Sequence, residues 1–236
     1  MPFTTPSLSS RLNEEGASYH ERGDDNSAFA AFKDALESLS IDAIARTTES
    51  VSALLSPTPT SDPTIPDHLG RSTMAIRPIP SCPRSDVPAP ADDEHAYYYD
   101  RCLTFEQTQA IDPEATPYCS AVIIFNMGLL FQKRGKDEKT LYKALFLYMV
   151  SLRHIQASTN GDRFKKTDLM IAALNNQAVV FYLLKDYGKA RTVLGELWSL
   201  LREIQCRPRS FVKGDIDGIV QNILLLLHSP SLAAAA

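Results

Sequence analysis

No stretch of this chain is long and apolar enough to cross a bilayer. The most apolar candidate, 216–227, is too short for a span and carries Asp217, Gln221 and Asn222, so no membrane partner is expected. Cysteine is sparse. Cys82, Cys102, Cys119 and Cys206 form no C-x-x-C pair and no metal-ligand spacing, so they read as free thiols of a reducing compartment. The opening residues, MPFTTPSLSSRLNEE, lack the basic head and apolar run of a signal peptide, and none of the seven asparagines opens an N-x-Ser/Thr acceptor. The expected compartment is the cytoplasm, with the nucleus as the alternative.

An excess of positive charge is also missing. With 24 Lys+Arg against 28 Asp+Glu, the net charge of -4 and pI near 5.7 favour neither nucleic acid nor an anionic membrane. Glycine-rich phosphate loops are absent: neither G-x-x-x-x-G-K-Ser/Thr nor G-x-G-x-x-G occurs. The histidines, His20, His68, His95, His154 and His228, sit on separate elements and form no H-E-x-x-H pair. Neither an enzyme nor a cofactor or metal is expected.

What the chain does have is helical periodicity. At 236 residues with 44% hydrophobic residues it can bury the core of one domain, or one domain plus a tail. From Ser7 to Leu55 apolar residues recur at steps of three and four (Ala28, Ala31, Phe32, Ala35, Leu36, Leu39), and Gly23-Asp24-Asp25-Asn26 marks the turn of a helix pair. Residues 8–55 form the first pair. Residues 56–93 place a proline every few positions and read as a flexible linker, with Ser56-Pro57 and Thr58-Pro59 as candidate sites for proline-directed phosphorylation.

In HAYYYDRCLTFE, residues 95–106, odd positions carry Tyr97, Tyr99, Leu103 and Phe105, with Arg101 the exception, and even positions carry Asp100, Cys102, Thr104 and Glu106, which is strand alternation with one buried face. Thr73 to Ile79 is the nearby candidate partner for a small β-hairpin, with Pro78 confining it to an edge. Helices are expected near 118–134, 138–157, 165–185, 187–205 and 215–228. The last has Ile216, Ile219, Val220, Ile223, Leu224 and Leu227 on one face, suited to closing a stack. Residues 94–228 thus hold the hairpin, two further helix pairs and the closing helix, and 229–236 form a tail.

The same offsets recur along the chain. Leu12-Asn13-x-x-Gly16-x-x-Tyr19-x3-Gly23-x4-Ala28-x3-Phe32-x2-Ala35 matches Leu174-Asn175-x-x-Ala178-x-x-Phe181-x3-Lys185-x4-Ala190-x3-Leu194-x2-Leu197. A middle copy uses Asn126, Gly128, Phe131 and Gly135, then Ala144, Tyr148 and Ser151. The pattern of small residue and aromatic followed by Ala, aromatic, Ala resembles the tetratricopeptide repeat. The resemblance implies an all-α fold of antiparallel helix pairs stacked as an α-solenoid, with the hairpin as an added element. The copies depart from the regular 34-residue spacing of that family: Gly16 lies 112 residues before Gly128, and Gly128 lies 50 before Ala178. An extra four residues after Gly135 are expected to lengthen its turn. The arrangement is also similar to uncharacterised repeat-like proteins abundant in diatoms, a group that supplies no function.

The resemblance implies a binding groove along the first helix of each pair. One ligand of that family is the acidic tail of a heat-shock chaperone, held by a clamp of lysines, asparagines and an arginine. The corresponding positions here are Asn13, Ala17, Asn126, Ala172 and Asn176, and only Asn126 matches, so that ligand is not expected. The groove positions are instead Val122, Phe125, Leu129, Gln132 and Lys133 of the middle pair, and Ala172, Asn175, Val179, Tyr182 and Leu183 of the third. Phe125, Leu129, Gln132, Lys133, Asn175, Val179 and Tyr182 are the candidate partner-binding residues. An apolar face of this kind needs cover, from the chain itself or from an apolar or amphipathic peptide lying as a helix or an extended segment. The function expected is a non-catalytic adaptor or scaffold for an unidentified protein or peptide. The alternatives are an enzyme or small-molecule binder with an internal cavity, and a helical repeat that binds nucleic acid. Trp198, next to Leu197, is expected in the core.

Overall fold

The computed structural model describes residues 6–55, 76–78, 96–105, 115–135, 137–158, 163–203 and 213–228. The rest of the linker 56–93, with Ser56, Thr58 and Cys82, lies outside the described residues, as do Cys206 and the tail 229–236. Among the described residues the chain is mainly helical: α1 Leu8–Glu21, α2 Asp25–Leu55, α3 Thr116–Arg134, α4 Glu138–Ala157, α5 Arg163–Leu183, α6 Tyr187–Glu203 and α7 Lys213–His228, with short strands β1 Ile76–Pro78 and β2 Leu103–Phe105.

Several helix ends have a local cause. Ser7 caps α1 by accepting the Ser10 amide at 3.2 Å, and Asp137 caps α4 by accepting from the Thr140 amide at 2.9 Å and its hydroxyl at 2.8 Å. The turns after α1 and α5 are built alike. In the first, Gly23 has φ 80°, the Asp24 amide returns to the Tyr19 carbonyl at 2.9 Å, and Asp24 then receives the Ser27 amide at 3.1 Å. In the second, Lys185 has φ 61°, the Asp186 amide returns to Phe181 at 2.9 Å, and Asp186 receives the Lys189 amide at 3.2 Å. Both are left-handed helix ends followed at once by an aspartate cap. The third turn corrects an expectation. The connection from α3 to α4 is three residues long, as are 22–24 and 184–186, and three of the four extra residues between Gly135 and Ala144 lie in α4 rather than in the turn.

Helices pack in sequence order: α1 on α2, α3 on α4, α5 on α6, with α2 meeting α3, α4 meeting α5 and α6 meeting α7. Small residues set the close approaches. A Cβ on Gly16 would lie 2.6 Å from the Phe32 ring, and one on Gly128 would lie 2.7 Å from Tyr148. The third pair brings Ala178 and Leu194 to full burial at the matching positions. Trp198 departs from expectation. α6 buries Ala190, Val193, Leu194 and Leu197, and the residue after Leu197 turns about 100° away from that stripe, which leaves Trp198 44% exposed.

Residues 97–105 cross the first helix of each pair. Among the described residues, only Leu103–Phe105 of this segment pair with another strand, antiparallel to Ile76–Pro78 in the register Ile76 with Phe105, Arg77 with Thr104 and Pro78 with Leu103. The rest of this segment meets helices instead. Those helices supply its partners through side chains.

Lys185 holds a backbone conformation that costs a residue with a Cβ about 1 kcal/mol. Lys185→Gly is therefore expected to raise the unfolding free energy by about 0.5–1 kcal/mol, read by urea titration. Gly128→Val is expected to lower it by about 2 kcal/mol or more by driving a branched side chain into Tyr148.

Candidate functional site: an asparagine-lined inner face

Asparagine is mostly a surface residue, yet Asn13, Asn126, Asn175, Asn176 and Asn222 are all fully buried. A buried amide must find hydrogen-bond partners or cost several kcal/mol. These five find theirs on one segment of main chain. Asn176 accepts the Tyr99 N–H through Oδ1 at 2.7 Å and donates Nδ2 to the Tyr99 carbonyl at 2.8 Å. Asn126 does the same for Leu103, accepting at 2.9 Å and donating at 2.8 Å. Asn222 accepts the Tyr97 N–H at 2.8 Å and donates back to the Tyr97 carbonyl.

The geometry follows from the shape of an extended chain. In a strand the N–H and C=O of one residue point to the same side, where a neighbouring strand would normally meet them. A primary amide carries one acceptor and one donor group at matching separation. Three asparagines on α7, α5 and α3 therefore replace a neighbouring strand. Asn13 on α1 adds a donor to the Leu103 carbonyl at 3.0 Å, Ser10 donates to the Phe105 carbonyl at 2.6 Å, and Asn175 donates to the Tyr97 carbonyl at 3.1 Å. The amides also join one another: Asn126 donates to Asn13 at 3.0 Å and Asn222 to Asn175 at 2.8 Å.

Side chains of the segment fill the spaces between. Tyr99, Leu103 and Phe105 are buried, with the Tyr99 ring 6.2 Å from Phe125, which in turn lies 5.5 Å from Tyr148. Tyr148 donates its hydroxyl to Gln132 at 2.6 Å and receives Asn176 at 3.3 Å. At the other end Tyr97 lies against Gly218, where any Cβ would meet its ring at 2.3 Å. Tyr97 donates its hydroxyl to Asp215 at 2.6 Å, and Arg101 pairs with the same carboxylate. Burial, reinforced by Asp215, pushes the Tyr97 phenol well above its ordinary range and keeps it a donor.

The residues expected to meet a partner fall into three groups. Phe125, Leu129, Gln132, Asn175 and Val179 are buried; of these, Phe125 packs on Tyr99 and Asn175 binds the Tyr97 carbonyl. Tyr182 is half-buried, its ring 5.7 Å from Tyr187. Lys133 is exposed, with Nζ 3.5 Å from both the His20 carbonyl and Asp25. Tyr97, Tyr99, Arg101, Asp215, Gly218 and Asn222 were not among the expected site residues. One signal was available: five of the chain's seven asparagines lie on α1, α3, α5 and α7.

Other reactive groups are quiet. Burial pushes the Cys102 and Cys119 thiols well up, which keeps them protonated. Among the described residues no group of three or more His, Cys, Asp and Glu gathers to hold a metal, and no helix is long and apolar enough to cross a membrane. A separate apolar cleft of about 720 Å³ is lined by Phe29 of α2, Met127 and Phe131 of α3, and Tyr142, Phe146 and Leu147 of α4. Tyr142 and Phe146 are 56% and 62% exposed there. No family model, no curated protein and no solved structure matches this chain.

Asn176→Ala removes the side chain that pairs with both the N–H and the carbonyl of Tyr99 and is expected to cost about 2–4 kcal/mol, whereas Asn175→Ala should cost about 1 kcal/mol because Asn222 still holds Tyr97. Equal losses in urea unfolding would contradict this division. His20 is buried beside Lys133, and its pKa is lowered by burial first and Lys133 second, against the pull of Asp25 at 3.5 Å. The unfolded chain therefore binds the proton more readily, so this contribution to stability is complete above about pH 6.5 and declines as the pH falls below it. His20→Gln should flatten the melting temperature between about pH 7 and 5 relative to wild type.

Proposed function

We propose that the chain is a non-catalytic interaction module, an adaptor or scaffold built as a tetratricopeptide-like stack whose inner face holds a polypeptide. The observation that carries this reading is the set of buried asparagines pairing with the main chain of residues 97, 99 and 103. Amide hydrogen bonding of this kind holds a chain without reacting with it. The stacked architecture is supported by the shared left-handed turns at Gly23 and Lys185 and by the glycine–aromatic approaches at Gly16 and Gly128. On this reading Phe125, Leu129, Gln132, Lys133, Asn175, Val179 and Tyr182 belong to the floor and rim of the groove. The proposed compartment is the cytoplasm or nucleus, where Cys102 and Cys119 remain thiols.

Affinity capture from the native cell tests the proposal with three baits: wild type, Asn126→Ala and Phe146→Asp. A partner that is retained by wild type and by Phe146→Asp but weakened about tenfold by folded Asn126→Ala is the expected result, since a lost hydrogen-bonding amide is worth about 1–2 kcal/mol. Absence of any specific partner across salt conditions would contradict the interaction module. Loss with Phe146→Asp alone would move the binding surface to the cleft on α4.

A further inference from the structure

We infer that the inner face is a main-chain-reading groove for an extended peptide, and that residues 97–105 are its resident occupant, open to exchange with a segment of the same chemistry on another molecule. This rests on the interaction-module reading and adds the class of partner. The argument starts from what the groove would demand once the resident segment left it. Asn126, Asn175, Asn176 and Asn222 are fully buried and would lose their partners at Tyr97, Tyr99 and Leu103. An α-helix uses its own amides internally and offers almost none to a neighbour. A helical partner would leave these four side chains without their main-chain partners, keeping only the bonds they make to one another, to Asn13 and to Tyr148, at a cost of about 1–3 kcal/mol each. Only an extended chain presents paired N–H and C=O groups at the required positions.

The side-chain spaces narrow the class further. Two aromatic positions two residues apart match Tyr97, which sits over Gly218, and Tyr99, which sits beside Phe125. Asp215 has a side chain only 6% exposed and meets Arg101, so the fifth position calls for a cation. Positions seven and nine are apolar, as Leu103 and Phe105 are. The recognised pattern is aromatic-x-aromatic-x-Arg-x-apolar-x-aromatic, with its N-terminal end at α7 and its C-terminal end at α1. Tethering gives the resident segment an effective concentration on the order of millimolar, so an outside peptide competes from a disadvantage until the resident is loosened.

The probe is a fluorescent peptide of the chain's own residues 95–106, titrated by anisotropy into full-length protein. Three proteins carry the test: wild type, Tyr97→Ala and Arg101→Ala, the last two having a weakened resident segment and an intact groove. Both variants are checked for wild-type helicity; Tyr97 and Arg101 are partly exposed, so at least one folded variant is expected. The peptide should bind a folded variant at least about tenfold more tightly than wild type, in line with the removal of a tethered competitor. Adding Asn126→Ala, or using a peptide with Glu in place of the arginine, should each weaken binding by about tenfold. Failure of the peptide to bind any folded variant overturns the inference, and so does binding indifferent to Asn126 and to the arginine. If the peptide fails while the native partner is still captured, the extended-peptide inference falls and the interaction module stands. If neither binds, both fall.

Discussion

A polar side chain that enters a protein interior must bring its hydrogen bonds with it, and five buried asparagines place that demand on the centre of this molecule. The demand is met by one short segment of main chain, whose own amides would otherwise be stranded between helices. Each satisfies the other. Neither an apolar filler nor a helix in that position would do so, because the first lacks the groups and the second has already used them. The position of residues 97–105 is thereby specified in register as well as in place: moving the segment by one residue would turn Tyr99, Leu103 and Phe105 away from their spaces and turn the paired amides away from the asparagines.

The helices around the segment are arranged by simpler means. Gly16 and Gly128 let Phe32 and Tyr148, on the second helix of their pairs, press closely against the first. Tyr148 links the two systems. Its ring packs on Phe125 while its hydroxyl bridges Gln132 and Asn176, so the apolar core and the amide ladder meet at one side chain. At the far end Asp215 ties Tyr97 and Arg101 to α7, so the last helix holds the segment through polar contacts as well as covering the stack. His20 and Asp25 join the first turn to Lys133 and Arg134 at the end of α3.

Much of the helical layout was legible in the sequence, because apolar spacing of three and four and the Gly-Asp turn each report on local geometry. Helices expected near 138–157 and 215–228 occur at Glu138–Ala157 and Lys213–His228. The extra residues after Gly135 misled the reading of the turn, since a helix can lengthen without disturbing its cap at Asp137. Trp198 misled it for another reason: an apolar residue one step off a stripe carries no mark of its exposure. The alternation at 97–105 announced one buried face, but Cys102 and Thr104 on the opposite face are buried as well because helices enclose the segment, and the pattern did not announce what would pair with its backbone. Partners of backbone groups leave no periodic signal, and the asparagines that supply them are spread from position 13 to position 222. Read for glycosylation or for a charged clamp, those asparagines say nothing. Read as buried amides on α1, α3, α5 and the closing helix α7, they mark the site.

Amide hydrogen exchange resolved at single residues tests the central claim most directly, because it reports on the main chain itself. The N–H groups of Tyr97, Tyr99 and Leu103 should exchange at least about a thousandfold more slowly than an unprotected chain, and Asn176→Ala should speed Tyr99 most. Exchange of these three amides at the unprotected rate in the folded protein would contradict the account.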